Sequence, residues 1–289
     1  MGSRPRRDIT HYVTRHLESL SLEGKVAVDV PAGSGRISRV LRDRGAEVHA
    51  FDLFPEFFEV SDLCCQPADL MQRVPMPNRS ADLIVCQEGI EHLPNHLHAL
   101  REFNRVLRGD GRLILTTPNI SHLRGRLSRF LNESDLYSRL PATEVDSIWF
   151  GSEDPSEVYF GHIFLLGIQQ LRILSRIAGF RIERLHFTRP SWGSVGLGLT
   201  YPLLVLSNLF GYAHSLRRHD QADPAWKRAV YLEALKLNLD PKVLFGKHLF
   251  VEFVKEKEVC EAVGDFHRKL EGGVLQPMAS PSPQPALVH

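Results

Sequence analysis

Cysteine is scarce: Cys64, Cys65, Cys86 and Cys260 are the four in 289 residues, and none is spaced as a paired metal ligand. Two of them are adjacent in what reads as a buried strand. Charge of one sign is not in excess either. Lys and Arg total 35 against 34 for Asp and Glu, so no global field draws the chain to nucleic acid or to a membrane, and any basic recognition surface has to be local. The opening residues lack the apolar run of a secretory signal. Met1-Gly2-Ser3 leads to Arg6 where a myristoylation signal wants Ser or Thr. These absences point to a reduced, cytoplasmic setting and leave the oligomeric state open.

What is present is a strand, a glycine turn and a helix. Residues 25–30 form a short apolar strand, Pro31-Ala-Gly33-Ser-Gly35 the turn, and residues 37–44 have helical spacing. A second strand ends at Asp52. Further strands are expected near residues 64–67, 81–86 and 112–117, and a helix over 95–107 closed by Gly109-Asp-Gly111. Strands alternating with helices imply a parallel sheet covered on both faces. After a loose stretch holding a basic helix (121–130), a helix at 167–178, a strand at 180–187 and a final strand at 247–254 complete the pattern.

The length suits one core domain with additions: a core over 1–190, an apolar helical insertion over 191–245, the last core strand over 246–256, and a C-terminal helix with a Pro- and Ser-rich tail over 257–289. From Pro190 to Leu216 there is no Asp, Glu, Lys or Arg. A single membrane crossing there would strand the final strand on the far side. The insertion is therefore expected to be a core hairpin, a lid over the substrate or an interfacial element touching lipid.

Glycines between a strand and a helix let backbone approach a ligand closely, beside the open N–H groups of the helix start. The loop has no Gly-Lys-Ser/Thr phosphate cradle, and Ser38 stands where a dinucleotide loop has its third glycine. Asp52 is placed to accept from ribose hydroxyls, and Asp69-Leu70 to meet an adenine. Each also reads as an ordinary turn or strand-end residue, and the loop as a plain tight turn.

The stretch Ala81-Asp-Leu-Ile-Val-Cys-Gln-Glu-Gly-Ile-Glu-His-Leu-Pro94, with residues 99–107, Gly111-Arg-Leu-Ile-Leu-Thr-Thr-Pro-Asn119 and Ala178-Gly-Phe180, resembles class I S-adenosylmethionine-dependent methyltransferases. The broad group meant is the one with ubiquinone-pathway and sugar O-methyltransferases, and the likeness covers about residues 22–185. It implies a Rossmann-like α/β fold with a mostly parallel seven-stranded sheet, an antiparallel last strand and S-adenosylmethionine as cofactor. By the likeness Asp29, Gly33 and Gly35 surround the methionine part, Asp52 holds the ribose, Asp69 and Leu70 the adenine, and Gln87 lies beside the transferred methyl. The family's usual first glycine is Pro31 here. No Asn-Pro-Pro-Tyr or Asp-Pro-Pro-Tyr follows strand four, which favours an oxygen acceptor, a hydroxyl of a small molecule, a glycan or a lipid-linked molecule, over an amino group.

Glu88, Glu91 and His92 stand at i, i+3 and i+4, one face of a helix if the segment is helical. The set resembles the metal ligands of small-RNA 3′-terminal 2′-O-methyltransferases and of some ubiquinone O-methyltransferases. By that likeness His162 completes it, for Mg²⁺ or Mn²⁺. Without a metal, His92 or Glu88 could serve in catalysis, His92 as general base, and each could equally cap, pack or lie in solvent. Arg124, Arg126 and Arg129 could meet phosphate or carboxylate, or form a solvated face. A nicotinamide-dependent oxidoreductase and a non-catalytic adaptor on the same fold remain the rival functions.

Overall fold

Side chains alternate between the two faces of a sheet along each strand, and the apolar runs here are long enough to supply both faces. The computed structural model describes residues 8–134, 140–151, 157–218 and 222–270. In it Ala27, Leu83, Val85 and Ile114 share one core with Ile9, Val13, Leu17 and Leu41. Their neighbours Val28, Ile84, Cys86, Leu113 and Leu115 share the other with Leu100, Phe103 and Leu171. A sheet buried on both sides follows directly from that pattern.

Its strands are β1 (Val26–Asp29), β2 (Glu47–Asp52), β3 (Cys65–Pro67), β4 (Ala81–Gln87), β5 (Leu107–Pro118), β8 (Phe180–Leu185) and β9 (His248–Lys255). They lie in the order β3-β2-β1-β4-β5-β9-β8. The first five pair parallel, and β9 runs antiparallel to both β5 and β8. The seven-stranded Rossmann-like sheet with one antiparallel last strand is therefore the fold the sequence led us to expect. Helices α1 (Ile9–Glu18) and α2 (Arg36–Asp43) cover one face, and α3 (His96–Val106) and α6 (Ile168–Ile177) the other. Caps fix two of the starts: the Asp8 carboxylate accepts from the His11 N–H, and the Asn95 side chain from that of His98.

Between β5 and α6 come α4 (Leu123–Asn132), α5 (Glu144–Ser147) and a small antiparallel ladder of β6 (Ile148–Phe150) with β7 (Val158–Phe160). The sequence pattern gave no sign of that ladder. Two expectations need correction. β5 starts at Leu107, directly after α3, so Gly109 and Gly111 lie in a strand rather than closing a helix. Cys64 is exposed and Cys65 half-buried, because β3 is a three-residue edge strand with no neighbour on its outer side.

The insertion leaves after β8 and returns before β9, and Pro190 pairs with Gly246 at its neck. It consists of α7 (Trp192–Gly196), a 3₁₀ turn (Leu197–Thr200), α8 (Tyr201–Arg217), α9 (Pro224–Leu239) and α10 (Pro241–Phe245). The core-hairpin expectation fails, because no residue of α8 is buried. A last helix, α11 (Val259–Leu270), follows β9. Residues 1–7, with the Met1-Gly2-Ser3 start, and the tail from Glu271 lie outside the described residues.

Candidate active site

Parallel strands ending side by side leave a crevice at their C-terminal ends, and most of the residues singled out in the sequence gather there. Gly33 (φ 52°) and Gly35 (φ 81°) both hold left-handed backbone, which any side chain would strain. A Cβ at Gly35 would also come within 2.5 Å of Val60 and 2.6 Å of Phe58, whereas one at Gly33 meets open space. The Gly33 N–H donates to the Asp52 carboxylate at 2.7 Å, and the Phe54 N–H donates to its other oxygen at 2.9 Å. Asp52 thus ties the end of β2 to the glycine loop. Each of its oxygens keeps a lone pair for a ligand. Asp29 is buried at the end of β1, accepts from the Ser38 hydroxyl at 2.6 Å, and is pushed up to about 7 by that burial. Its second oxygen is buried with no hydrogen-bond partner. Pro31 occupies the space beside Gly89, where a Cβ would meet its ring at 2.4 Å, so the missing first glycine is matched by a glycine further on.

A cavity of about 420 Å³, the size range of a small-ligand pocket, opens beside the loop. Of the expected residues Asp52, Asp69, Leu70 and His92 line it, together with Phe54 and with Trp149, Tyr159 and Phe160 from the small ladder. That aromatic wall was missed from the sequence. Asp69 accepts from the Met71 N–H at 2.7 Å, so it also shapes its own turn. Asp29, Gly33, Gly35, Gln87, Glu88, Glu91 and His162 are not among the lining residues. Gln87 ends β4 with its amide donating to the Thr10 hydroxyl on α1 at 2.9 Å and its carbonyl oxygen buried without a partner.

The helix assumed for residues 88–92 does not form. Glu88 has left-handed backbone (φ 51°), and only Ile90–His92 make a single 3₁₀ turn. The i, i+3, i+4 geometry is lost with it, and Glu88 turns away. Its carboxyl accepts from the Thr116 hydroxyl at 3.1 Å and lies 3.5 Å from the His248 Nε2. Burial and the neighbouring Glu91 push Glu88 up to about 8, while burial pushes His248 down to about 4, each toward its neutral form. Neither His248 nor Thr116 was anticipated. Both come from strands that pair only in the folded sheet.

Glu91 is fully buried. One oxygen accepts from the Thr117 hydroxyl at 3.0 Å, the other has no partner, and burial pushes its carboxyl up. His92 Nδ1 lies 2.8 Å from the Phe160 carbonyl, which can only accept; the proton is therefore assigned to Nδ1 and leaves Nε2 an acceptor. Its ring centroid is 5.1 Å from that of His162. Glu91, His92 and His162 each offer one ligand atom within 4.8 Å of the others. Of the expected metal set, then, three come together and Glu88 does not. Two imidazoles and one carboxylate suit Mn²⁺ better than the all-oxygen preference of Mg²⁺.

A second group was also unforeseen. His16 and His186 sit 3.4 and 3.1 Å from one Glu252 oxygen, with Arg112 on the other, and the imidazole hydrogen bonds hold Glu252 well below the usual carboxylate range. The group fastens α1 to β8 and β9, and so holds Thr10 over Gln87.

The family model described as a methyltransferase domain matches residues 28–115. The ubiquinone biosynthesis O-methyltransferase of Xylella fastidiosa (strain M23) is 32% identical over 112 residues, covering 35% of this chain and 44% of that protein. That of Xanthomonas oryzae pv. oryzae (strain PXO99A) is 33% identical over 109 residues, covering 35% and 46%. The chain spans less than half the length of either relative. Among solved structures, a Listeria monocytogenes protein described as an S-adenosylmethionine-dependent methyltransferase has TM-score 0.50 at 10% identity, over 86% of this chain and 98% of that one. That likeness is one of fold.

Proposed function

We propose that this chain, whose residues 28–115 match the methyltransferase-domain family, is a class I S-adenosylmethionine-dependent methyltransferase that methylates a hydroxyl oxygen on a small-molecule, glycan or lipid-linked acceptor. The cofactor supplies the methyl group, by in-line displacement at its sulfonium, so the protein's share is to hold the two reactants in line and to take a proton. The loop fits such a cofactor: a Cβ at Gly33 would enter open space that bare backbone leaves to a ligand, and Asp52 keeps one acceptor site on each oxygen beside a cavity of nucleoside size. Leu70 and Asp69 stand in that cavity for the adenine, and the aromatic wall gives it a face to pack against.

The observation that carries the oxygen reading is His92. It lines the cavity, its ring is oriented by the Phe160 carbonyl, and its Nε2 faces the task of accepting a hydroxyl proton. Glu88 lies off the cavity wall and is a positioning residue in this reading, keeping the turn that carries Glu91 and His92 against Thr116 and His248. The buried, unpartnered oxygen of Glu91 with His92 and His162 also fits a divalent ion of the Mn²⁺ kind; that is the alternative to the base role, since His92 has only Nε2 open, and an ion bound there would orient vicinal hydroxyls and lower their pKa in place of the imidazole. Calorimetric titration with S-adenosylmethionine and with NAD separates this reading from an oxidoreductase, which binds the second, and from an adaptor, which binds neither. In single-turnover assays with labelled cofactor, His92→Gln should lower the methyl-transfer rate about 10²- to 10⁴-fold, the usual share of a general base, with cofactor affinity unchanged. An unchanged rate removes His92 from the chemistry.

A further inference from the structure

One side of the insertion carries an apolar stripe that no element among the described residues covers. Trp192, Val195, Leu199, Leu203, Leu206 and Phe210 follow one another at helical spacings of three and four along α7, the 3₁₀ turn and α8, so they share one side. Their exposures run from 44% at Val195 to 93% at Leu199. The most apolar 18 residues within the helical stretch Trp192–Arg217 have a mean hydropathy of 1.3, and only 6% of them are buried. The other side of α8 is spoken for: it packs on α9, and the Asn238 amide donates to the Asn208 side-chain oxygen at 3.0 Å, which fixes the rotation of the pair. Phe130 (84% exposed) and Leu131 (61% exposed) end α4, which packs against α7 and the 3₁₀ turn.

We propose that this stripe docks on the surface of an anionic bilayer, lying in the plane of the interface rather than crossing it. The stretch Trp192–Arg217 is long enough to cross, but the topology excludes it. The neck pair Pro190 and Gly246 returns the chain to the same sheet edge, and the returning helix α9 carries Lys227, Arg228, Glu233 and Lys236. Charge selects the occupant. Arg129 on α4, Arg217 and Arg218 at the end of α8, and Arg228 and Lys236 on α9 are exposed, against the exposed capping acids Glu133 and Asp223, and the one carboxylate within these helices, Glu233, is bound by Arg172 and Arg176. An apolar face on an element with an excess of exposed positive charge is what an anionic lipid surface attracts. A second copy of this chain would bring the same positive charge. The insertion also leaves the sheet at the end where Gln87 and Glu88 lie, since His248, the first residue of β9, sits against Glu88. If the methyl-transfer reading holds, an acceptor carried in the bilayer is within the natural reach of the site; the docking itself does not depend on it.

The test is co-sedimentation with vesicles of phosphatidylcholine alone and of phosphatidylcholine mixed with phosphatidylglycerol. Wild type should bind the mixed vesicles and bind the neutral ones more weakly. The triple variant Leu203→Ser, Leu206→Ser, Phe210→Ser should lose at least about tenfold in partitioning, since three apolar side chains no longer enter the interface. Arg217→Gln with Arg228→Gln should weaken binding to the mixed vesicles alone. Circular dichroism and S-adenosylmethionine titration of each variant keep loss of fold, and failure of the methyltransferase reading, distinct from loss of docking. Tryptophan fluorescence needs no multiple variant: the emission of wild type should shift to the blue with mixed vesicles, and Trp192→Phe should remove that shift. Wild type that ignores both vesicles, or that light scattering shows to be a dimer which the triple variant converts to monomer without any vesicle binding, overturns the proposal.

Discussion

Replacing Asp52 by alanine should weaken two things at once, and their sizes can be worked out separately. The carboxylate is 8% exposed and accepts backbone N–H groups from Gly33 at 2.7 Å and Phe54 at 2.9 Å. A hydrogen bond to a charged group contributes about 1.5–3 kcal/mol, and a loop at the crevice edge lets water replace part of it, so the pair is worth about 2–4 kcal/mol. Against a typical folding stability of about 5–15 kcal/mol the variant stays folded. Its Tm should fall by about 5–15 °C, at about 2–4 °C per kcal/mol for a chain of this size. Loss of the remaining acceptor sites should cost the cofactor one further charged hydrogen bond or more, about a 10- to 150-fold loss of affinity. Asp52→Asn separates the two effects, because its one carbonyl oxygen can still receive one backbone N–H and restore about half of the Tm loss. The assays are thermal melting by circular dichroism and calorimetric titration with S-adenosylmethionine well below the lowest Tm. Folded Asp52→Ala with wild-type affinity would falsify the ribose assignment, and an unchanged Tm would refute the loop-locking role.

The two loop glycines should differ: Gly33→Ala carries only the left-handed strain of about 1–2 kcal/mol, while Gly35→Ala adds a collision with Val60 and Phe58 and should cost about 2–4 kcal/mol, read from urea midpoints. Equal costs would mean that the contacts around Gly35 relax freely. Glu88 should show in the pH dependence of stability. Its folded pKa of about 8 lies above the ordinary 4.5, so the native state binds the extra proton and stability falls as pH rises through that interval. Glu88→Gln, which keeps an acceptor for Thr116, should flatten that fall by about 2 kcal/mol or less, since 27% of the side chain is exposed; identical pH profiles would place the buried proton elsewhere. Glu91→Gln or His162→Ala should abolish Mn²⁺ binding seen by calorimetry while Glu88→Gln leaves it intact, because Glu88 stands apart from the three gathered ligands. Loss on Glu88→Gln with no change on His162→Ala reverses that ligand set.

The sheet was legible in the sequence because its causes are local. Each central strand is apolar on consecutive residues and so buries both faces, and glycines at 33 and 35 stand where only left-handed backbone joins β1 to α2. The charge-free run from Pro190 to Leu216 likewise announced an unusual segment, though not which way it would face. That was decided by the neck between Pro190 and Gly246 and by the Asn208–Asn238 pair, which turn one side of α8 to α9 and leave the other outside. The site shows the same division. The spacing of Glu88, Glu91 and His92 has one meaning on an α-helix and another on a 3₁₀ turn, and Glu88 in left-handed backbone swings to partners that no local rule names. Thr116 comes from the next strand, His248 from the antiparallel strand beyond it, and Trp149, Tyr159 and Phe160 from a ladder between β5 and α6. Periodicity and glycine chemistry act over a few residues, so the sequence by itself determined the fold class and the loop. Side chains brought together by strand pairing depend on the whole sheet having formed, and so only the tertiary structure decided which acid, imidazoles and aromatics face one another.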